Sequence, residues 1–338
     1  MAILVTGGAG FIGSHTCAEL LTNGVDDVVV VDDFSNSSAR ALEAISNVAG
    51  RDVVLHRLDL RDHAGLDRVF ESHDIDRVVH FAAKKAVNES LQIPLEYFDT
   101  NIAGTTSLLR CMVRHGVRSL VFSSSCSIYG DQYLGPIGEK ETPGPTNPYA
   151  RSKLICEQIL ADTCARYDDF AVISLRYFNP VGAHPSGALG ESPLGVPSNV
   201  MPYIMQVAAG RLERISIFGA DYPTPDGTPV RDYIHVMDVA EAHCLALRRL
   251  ADGPGMRVLN LGTGVGISVL ELVRAVEDVC GLVVPYEVVA RRDGDAASAV
   301  ADPSLIDKEW GWRTSRDIRA MCKDAWRFQQ LHPGGYLA

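Results

Sequence analysis

Thr6-Gly7-Gly8-Ala9-Gly10-Phe11-Ile12-Gly13 stands at the end of a short apolar run, Ile3–Thr6, and opens an amphipathic stretch that reaches Asn23. The spacing of Gly7, Gly10 and Gly13 lets a chain turn sharply from a strand into a helix. It also lets the backbone approach an anion closely, with the free N–H groups of the new helix pointing at it. About twenty residues on, Val28-Val29-Val30-Val31 ends in Asp32. A carboxylate there accepts hydrogen bonds from the two hydroxyls of an adenosine ribose and repels a 2′-phosphate. Strand, glycine turn, helix and acidic strand end together predict a dinucleotide site for NAD rather than NADP.

Outward from this stretch, short β-branched runs alternate with helical patterns. Candidate strands are Ile3–Thr6, Val28–Asp32, Val53–Leu58, Arg77–Phe81, Ser119–Ser123 and Ala171–Tyr177. Helices are expected near 12–23, 64–72, 95–115 and 148–167, and Gly24 and Gly116 fall where helix C-terminal glycines belong. This alternation implies right-handed crossovers and a doubly wound parallel α/β sheet covered on both faces. After Asn179 the pattern changes. Segments 179–200 and 219–230 are rich in Pro, Gly and Ser, and a last helix is expected over Ile318–Leu331. We expect a dinucleotide-binding domain at 1–178, to which part of 234–261 returns, and a smaller mixed α/β C-terminal lobe at 179–338.

Composition narrows the function. A net charge of −11 disfavours nucleic acid as partner, while leaving room for an anionic substrate if a few arginines converge. Eight cysteines without C-x-x-C spacing read as free thiols of a reducing compartment, so a cytoplasmic protein is expected. No Cys/His set has zinc spacing, and no catalytic metal is expected. No apolar run is long enough to span a membrane, and the opening Met1–Gly7 carries no signal-peptide pattern.

A second motif supplies chemistry. Tyr149-Ala150-Arg151-Ser152-Lys153 places Tyr149 and Lys153 on one helix face, and Asn147-Pro148 ahead of it is a helix-start signature. A phenol in the first turn of a helix, beside an ammonium, is drawn toward phenolate and so toward work as a general base. Asp59-Leu60, behind the third strand, reads equally well as a turn or helix cap and as a cofactor contact. Phe81-Ala82-Ala83 ends the fourth strand with residues small enough for close approach.

Glycine motif, Asp32 and Y-x-x-x-K together resemble the extended short-chain dehydrogenase/reductase family, built on the Rossmann fold. Three stretches narrow the resemblance to its UDP-galactose (UDP-glucose) 4-epimerases: Ser123-Ser124-Ser125-Cys126-Ser127-Ile128-Tyr129, Arg176-Tyr177-Phe178-Asn179-Pro180-Val181-Gly182 and Val230-Arg231-Asp232-Tyr233-Ile234-His235. Arg291-Arg292-Asp293-Gly294-Asp295 continues it, and it covers about 2–335. The resemblance implies C4 epimerisation of a UDP-hexose with NAD held throughout, and Ser125, Tyr149 and Lys153 as the catalytic group. It implies NAD contacts from Phe11, Ile12, Asp32, Asp59, Leu60, Phe81, Ala82, Lys85 and Phe178. For the UDP-sugar it implies Asn179, Asn199, Phe218, Arg231, Arg292 and Asp295; without it, the two arginines read as surface ion pairs. A homodimer through helices around 95–115 and 148–167 is implied as well.

This chain also departs from the family pattern. Thr100 stands where the family places an Asn against NAD. Ala299 stands where some members carry Tyr, either in the wall beside the sugar or in a surface loop. Among related activities, elimination finds no carboxylate in Ser125-Cys126-Ser127, and a non-catalytic NAD sensor would not need the intact Tyr149/Lys153 pair.

Overall fold

The computed structural model describes residues 1–292 and 295–337; Asp293 and Gly294, quoted within the last motif above, and Ala338 lie outside the described residues. Two compact units are interleaved along the chain. The first comprises Met1–Ile128, Pro145–Arg176 and Ala240–Leu259; the second comprises Tyr129–Gly144, Tyr177–Val239 and Asn260–Ala338.

The first unit is built on a seven-stranded sheet of β1 (Ala2–Thr6), β2 (Val28–Asp32), β3 (Val54–Arg57), β4 (Ile75–His80), β5 (Ser119–Ser125), β7 (Ala171–Tyr177) and β11 (Gly255–Leu261). Their order is β11-β7-β5-β4-β1-β2-β3. β1 runs parallel to both β2 and β4, β2 to β3, and β4 to β5. From β1 the chain winds outward through β2 and β3, then returns to β4 on the other side of β1. That reversal is the topological switch point of a doubly wound sheet, outside whose carboxyl ends ligands bind. The expected Rossmann class holds. Helices α1 (Phe11–Thr22), α2 (Arg40–Ala49), α3 (His63–Ser72), α4 (Val87–Gln92), α5 (Pro94–Phe98), α6 (Gly104–Arg114) and α7 (Pro148–Arg166) belong to this unit. Leu4, Val29, Val31, Val78, Leu108, Met112, Leu120 and Leu160 meet in its buried core. The run of valines in β2 has no polar face because the sheet is covered on both sides.

The second unit holds a five-stranded sheet. In it β10 (Val230–His235) lies between antiparallel β12 (Gly266–Ser268) and parallel β14 (Ser298–Ala301); β14 pairs with β6 (Pro136–Ile137), and β8 (Asn179–Val181) pairs with β10. A parallel pair, β9 (Ile215–Phe218) and β13 (Tyr286–Val289), stands apart. α8 (Val200–Ala208), α10 (Val269–Cys280) and α12 (Ile318–Leu331) pack around Ile204, Ile217, Tyr233, Val276 and Met321. α11 (Ser304–Trp310) follows β14. α9 (Val236–Arg249) continues β10 and carries the chain to the first unit at Ala240. Ala240–Leu259 belongs to the first unit, within the 234–261 stretch expected to return there, while residues 129–144, inside the expected 1–178 span, group with the second. The cause is local: the two-residue strand β6 finds its partner in β14. Among the described residues no helix is long and apolar enough to cross a membrane. All eight cysteines are free thiols.

Candidate active site

Gly7, at the end of β1, has φ +70°, and a Cβ there would sit 2.7 Å from the Ala82 nitrogen at the end of β4. A Cβ on Gly13 would sit 2.2 Å from the Gly7 carbonyl oxygen. Only glycine lets β1, β4 and the start of α1 come this close. α1 begins after Gly10 with no side-chain cap, so its first N–H groups are left for an anion. Asp32, 7% exposed at the end of β2, accepts from the Ala9 N–H at 3.0 Å through Oδ2, and from the Ser37 hydroxyl at 2.7 Å and the Phe34 N–H at 3.0 Å through Oδ1. The acidic strand end is thereby fixed against the glycine loop. Phe81 and Ala82 both donate backbone N–H bonds to the Thr6 carbonyl, closing the other side of the switch point. This cradle, with its uncapped helix start and terminal carboxylate, fits a dinucleotide.

Other expected cofactor residues have separate surroundings. Asp59 is not the cap of α3, whose N-cap is Asp62. Its carboxylate receives the Arg61 guanidinium, Nε at 3.0 Å, which holds it below the usual carboxylate range. Leu60 is buried beside Gly104, and Lys85 is exposed. Thr100 lies in a π-helical turn, Asp99–Ala103, between α5 and α6. Its neighbour Asn101 is the residue the sequence reading missed. Buried, it accepts from the Lys84 N–H at 2.8 Å and donates to the Lys84 carbonyl and to Ser152 Oγ, tying the β4 exit to α7. A helix-interior Asn with a buried partner leaves no trace in periodicity.

Ser125, Tyr149 and Lys153 come together in the first unit. Asn147 caps α7 by accepting from the Ala150 N–H at 2.9 Å, and Pro148 fills the first helical position, so Tyr149 stands in the first turn as expected. Ser125 ends β5 and its hydroxyl hydrogen-bonds the Tyr149 phenol. Lys153 Nζ donates to the Ser123 carbonyl at 2.7 Å and lies 5.0 Å from the centre of the Phe122 ring. All three are more than nine-tenths buried. Burial pushes the Tyr149 phenol up to about 12, against the lowering by Ser125, and pulls the Lys153 ammonium down to about 8. The phenol expected to be drawn toward phenolate is thus, in the protein without cofactor, held in its neutral form by burial.

In the second unit Phe178 is buried, its N–H on the Leu261 carbonyl, and Asn179 opens β8 with its Oδ1 buried and unpartnered. Arg292 lies over the Phe218 ring, 4.3 Å from its centre, and its Nε donates to Asp295 at 2.8 Å. Arg231 on β10 is the register partner of Ala299 on β14. Arg292, Phe218 and Asp295 thus stand together. Asn199 stands before α8, donating to Glu191 at 2.5 Å. Elsewhere, Asp67, Cys111 and His115 present three ligand atoms within 4.8 Å of one another, a grouping absent from sequence spacing. Its carboxylate already pairs with Arg114, and the buried Cys111 thiol is pushed up to about 12.

The sequence profile described as the NAD dependent epimerase/dehydratase family matches residues 3–262. The chain belongs to that family. A UDP-glucose 4-epimerase of Bacillus subtilis (strain 168) is 51% identical over 336 residues, 99% of each chain. The crystal structure of UDP-glucose 4-epimerase from Bifidobacterium longum, in complex with NAD+ and UDP, superposes with a TM-score of 0.96 at 46% identity, covering 99% of this chain and all of that one. The Stenotrophomonas maltophila UDP-glucose 4-epimerase, with NAD and formylated UDP-arabinopyranose bound, gives 0.95 at 51% identity, covering 98% and 99%. The members of this family named here match the chain end to end, well beyond the glycine motif.

Proposed function

We propose that this protein is a UDP-glucose 4-epimerase, interconverting UDP-galactose and UDP-glucose through a 4-keto sugar with NAD kept bound. The observation that carries the reading is the joined Ser125–Tyr149–Lys153 group at the end of β5 and the start of α7, in the same unit as the dinucleotide cradle. Bound NAD accepts the hydride from C4 and returns it, so the cycle has no net oxidant.

The residues do the rest. Gly7, Gly10 and Gly13 admit the pyrophosphate to the start of α1, Phe11 and Ile12 flank it there, and Asp32 takes the adenosine ribose. Asp59, Leu60, Phe81, Ala82, Lys85, Thr100 and Phe178 complete the cofactor contacts. Tyr149, as phenolate, removes the 4-hydroxyl proton; Ser125 bonds the same oxygen and relays the proton; Lys153 stays protonated beside them. Arg231 and Arg292 bind the diphosphate, Arg292 set in place by Asp295 and Phe218, with Asn179 and Asn199 as further polar contacts. Rotation about the diphosphate linkage turns the other face of the keto sugar to the returning hydride. A cytoplasmic homodimer, paired through the helices within 95–115 and 148–167, is part of the same reading. Full-length similarity to named UDP-glucose 4-epimerases supports the substrate.

The test uses protein as purified, with UDP-galactose and no added cofactor. We expect UDP-glucose by NMR and nearly one NAD released per chain on acid denaturation. Net NADH production that depends on added NAD, or stoichiometric NADP, overturns the reading.

A further inference from the structure

Glu157 follows Tyr149 and Lys153 at the next i+4 step of α7, so the three share one helix face. The chemistry described above does not use it. Its side chain is 5% exposed. Oε1 accepts from Ser124 Oγ at 2.6 Å, Ser174 Oγ at 2.9 Å and Arg176 Nε at 3.0 Å; Oε2 accepts from Arg176 Nη2 at 2.6 Å. Replacing such a pair by apolar residues often stabilises a fold, so its presence calls for a reason other than stability. The partners supply one. Ser124 directly precedes Ser125 on β5, and Ser123, one residue earlier, holds the Lys153 ammonium. α7 is thus bonded to the β5 residues leading into the catalytic serine, and through Ser174 and Arg176 to β7.

We propose that Glu157 and Arg176 are a positioning pair for the catalytic group: Glu157 locks the reactive face of α7 onto β5, and sets the balanced charge of the pair one helical turn from Lys153. This rests on the reading of Ser125, Tyr149 and Lys153 as the reacting groups. Among the described residues, Lys153 has Tyr149 and Glu157 one turn away on its own helix face and Cys156 beside it, His80 on β4, kept neutral by burial, and, by way of Glu157, Arg176 on β7; on β5 it meets the Ser123 carbonyl and the Phe122 ring. Glu157 raises the hold of Lys153 on its proton against the burial that lowers it.

Three variants separate the two charges. Glu157→Gln leaves Arg176 unbalanced, so Lys153 loses its proton at lower pH. Arg176→Met leaves the carboxylate unbalanced, so the proton leaves at higher pH. The double variant restores neutrality. The chain has six lysines, so the 15Nζ resonance of Lys153 can be assigned by its loss in Lys153→Met. We expect its titration midpoint to fall by about one pH unit in Glu157→Gln, to rise by about as much in Arg176→Met, and to lie near wild type in the double variant. The alkaline limb of kcat is expected to move in the same directions. An unmoved midpoint in the single variants, with kcat lowered equally at every pH, overturns the proposal and leaves the pair a fold contact. If Glu157→Gln does not fold, the displacement between Arg176→Met and the double variant decides. If the wild type interconverts no UDP-hexose, the epimerase reading falls while the lysine titration still judges the pair.

Discussion

Tyr149 stands in surroundings that oppose its proposed work. With burial pushing its phenol up to about 12, the phenolate is scarce at pH 7 in the protein without cofactor. The positive charge of Lys153 and of an oxidised nicotinamide must recover that ionisation in the loaded enzyme, and every tenfold gain in the phenolate fraction requires about 1.4 kcal/mol of favourable interaction. The two partners are also needed in opposite protonation states. Phenolate gains as pH rises, whereas Lys153, pulled down to about 8, loses its charge above that pH. We therefore predict a bell-shaped pH profile for kcat with its alkaline limb governed by Lys153, checked by stopped assays of UDP-galactose conversion across roughly pH 5–10, which brackets the titration of Lys153 near 8. Tyr149→Phe keeps the ring and removes the base. It is expected to lower kcat about 10²- to 10⁴-fold while UDP-sugar binding, measured by calorimetry, is retained. An unimpaired Tyr149→Phe enzyme would remove Tyr149 from the mechanism.

At the scale of elements, the glycine turn is the most demanding piece of packing. A Cβ on Gly13 would overlap the Gly7 carbonyl at 2.2 Å, whereas one on Gly10 would meet the same oxygen at 3.2 Å. Gly13→Ala must push α1 away from β1; Gly10→Ala needs only a few tenths of an ångström. We predict that Gly13→Ala loses about 1–3 kcal/mol of stability and most of its co-purified NAD, with Gly10→Ala nearer wild type in both. Equal NAD content in the two variants would mean that this approach does not shape the cofactor site. The turn was legible because the residue types admit few alternatives. Strands β2 and β7 and helix α12 were likewise bounded by their own hydrophobic patterns. The helix expected over 95–115 was not continuous. Pro94 starts α5, and Asp99–Ala103 widens into a π turn at which Asn101 reaches sideways to Lys84 and Ser152. A single π turn shifts the helical register without altering composition, so periodicity passes over it. α2 and β6 were missed for another reason. α2 buries only Ala41, Ala44 and Ile45, and β6 is two residues long, held by β14 far along the chain. Of the candidate site, the motifs named their residues, but the burial that sets Tyr149 and Lys153 is a property of the packed sheet and helix.

For the molecule as a whole, the open question is the range of sugars it accepts, and Ala299 carries it. The chain has a net charge of −11, yet Arg231 and Arg292 stand in its second unit as the proposed diphosphate ligands. Ala299 is the register partner of Arg231 across the β10–β14 pair, and it is half-buried, so it lies on a strand beside one of those ligands rather than in a remote loop. Ala296, Ala297 and Ser298, which lead into it, are also small and only partly buried. The resemblance sets Tyr at this position in some members; a methyl group in its place would leave room for an N-acetyl group. A hydrophobic wall rejects an oversized substituent by overlap, and it gives little discrimination once the overlap is gone. We therefore predict that the wild type converts UDP-N-acetylgalactosamine as well as UDP-galactose, and that Ala299→Tyr loses at least about tenfold in kcat/KM for the acetylated sugar with little change for the plain one. The comparison is internal to each enzyme, so a general loss of activity from the new ring would lower both rates together and would not count in favour. Negligible wild-type turnover of UDP-N-acetylgalactosamine would refute the open wall, and would mean that another side chain fills the space beside Ala299 when the sugar is bound.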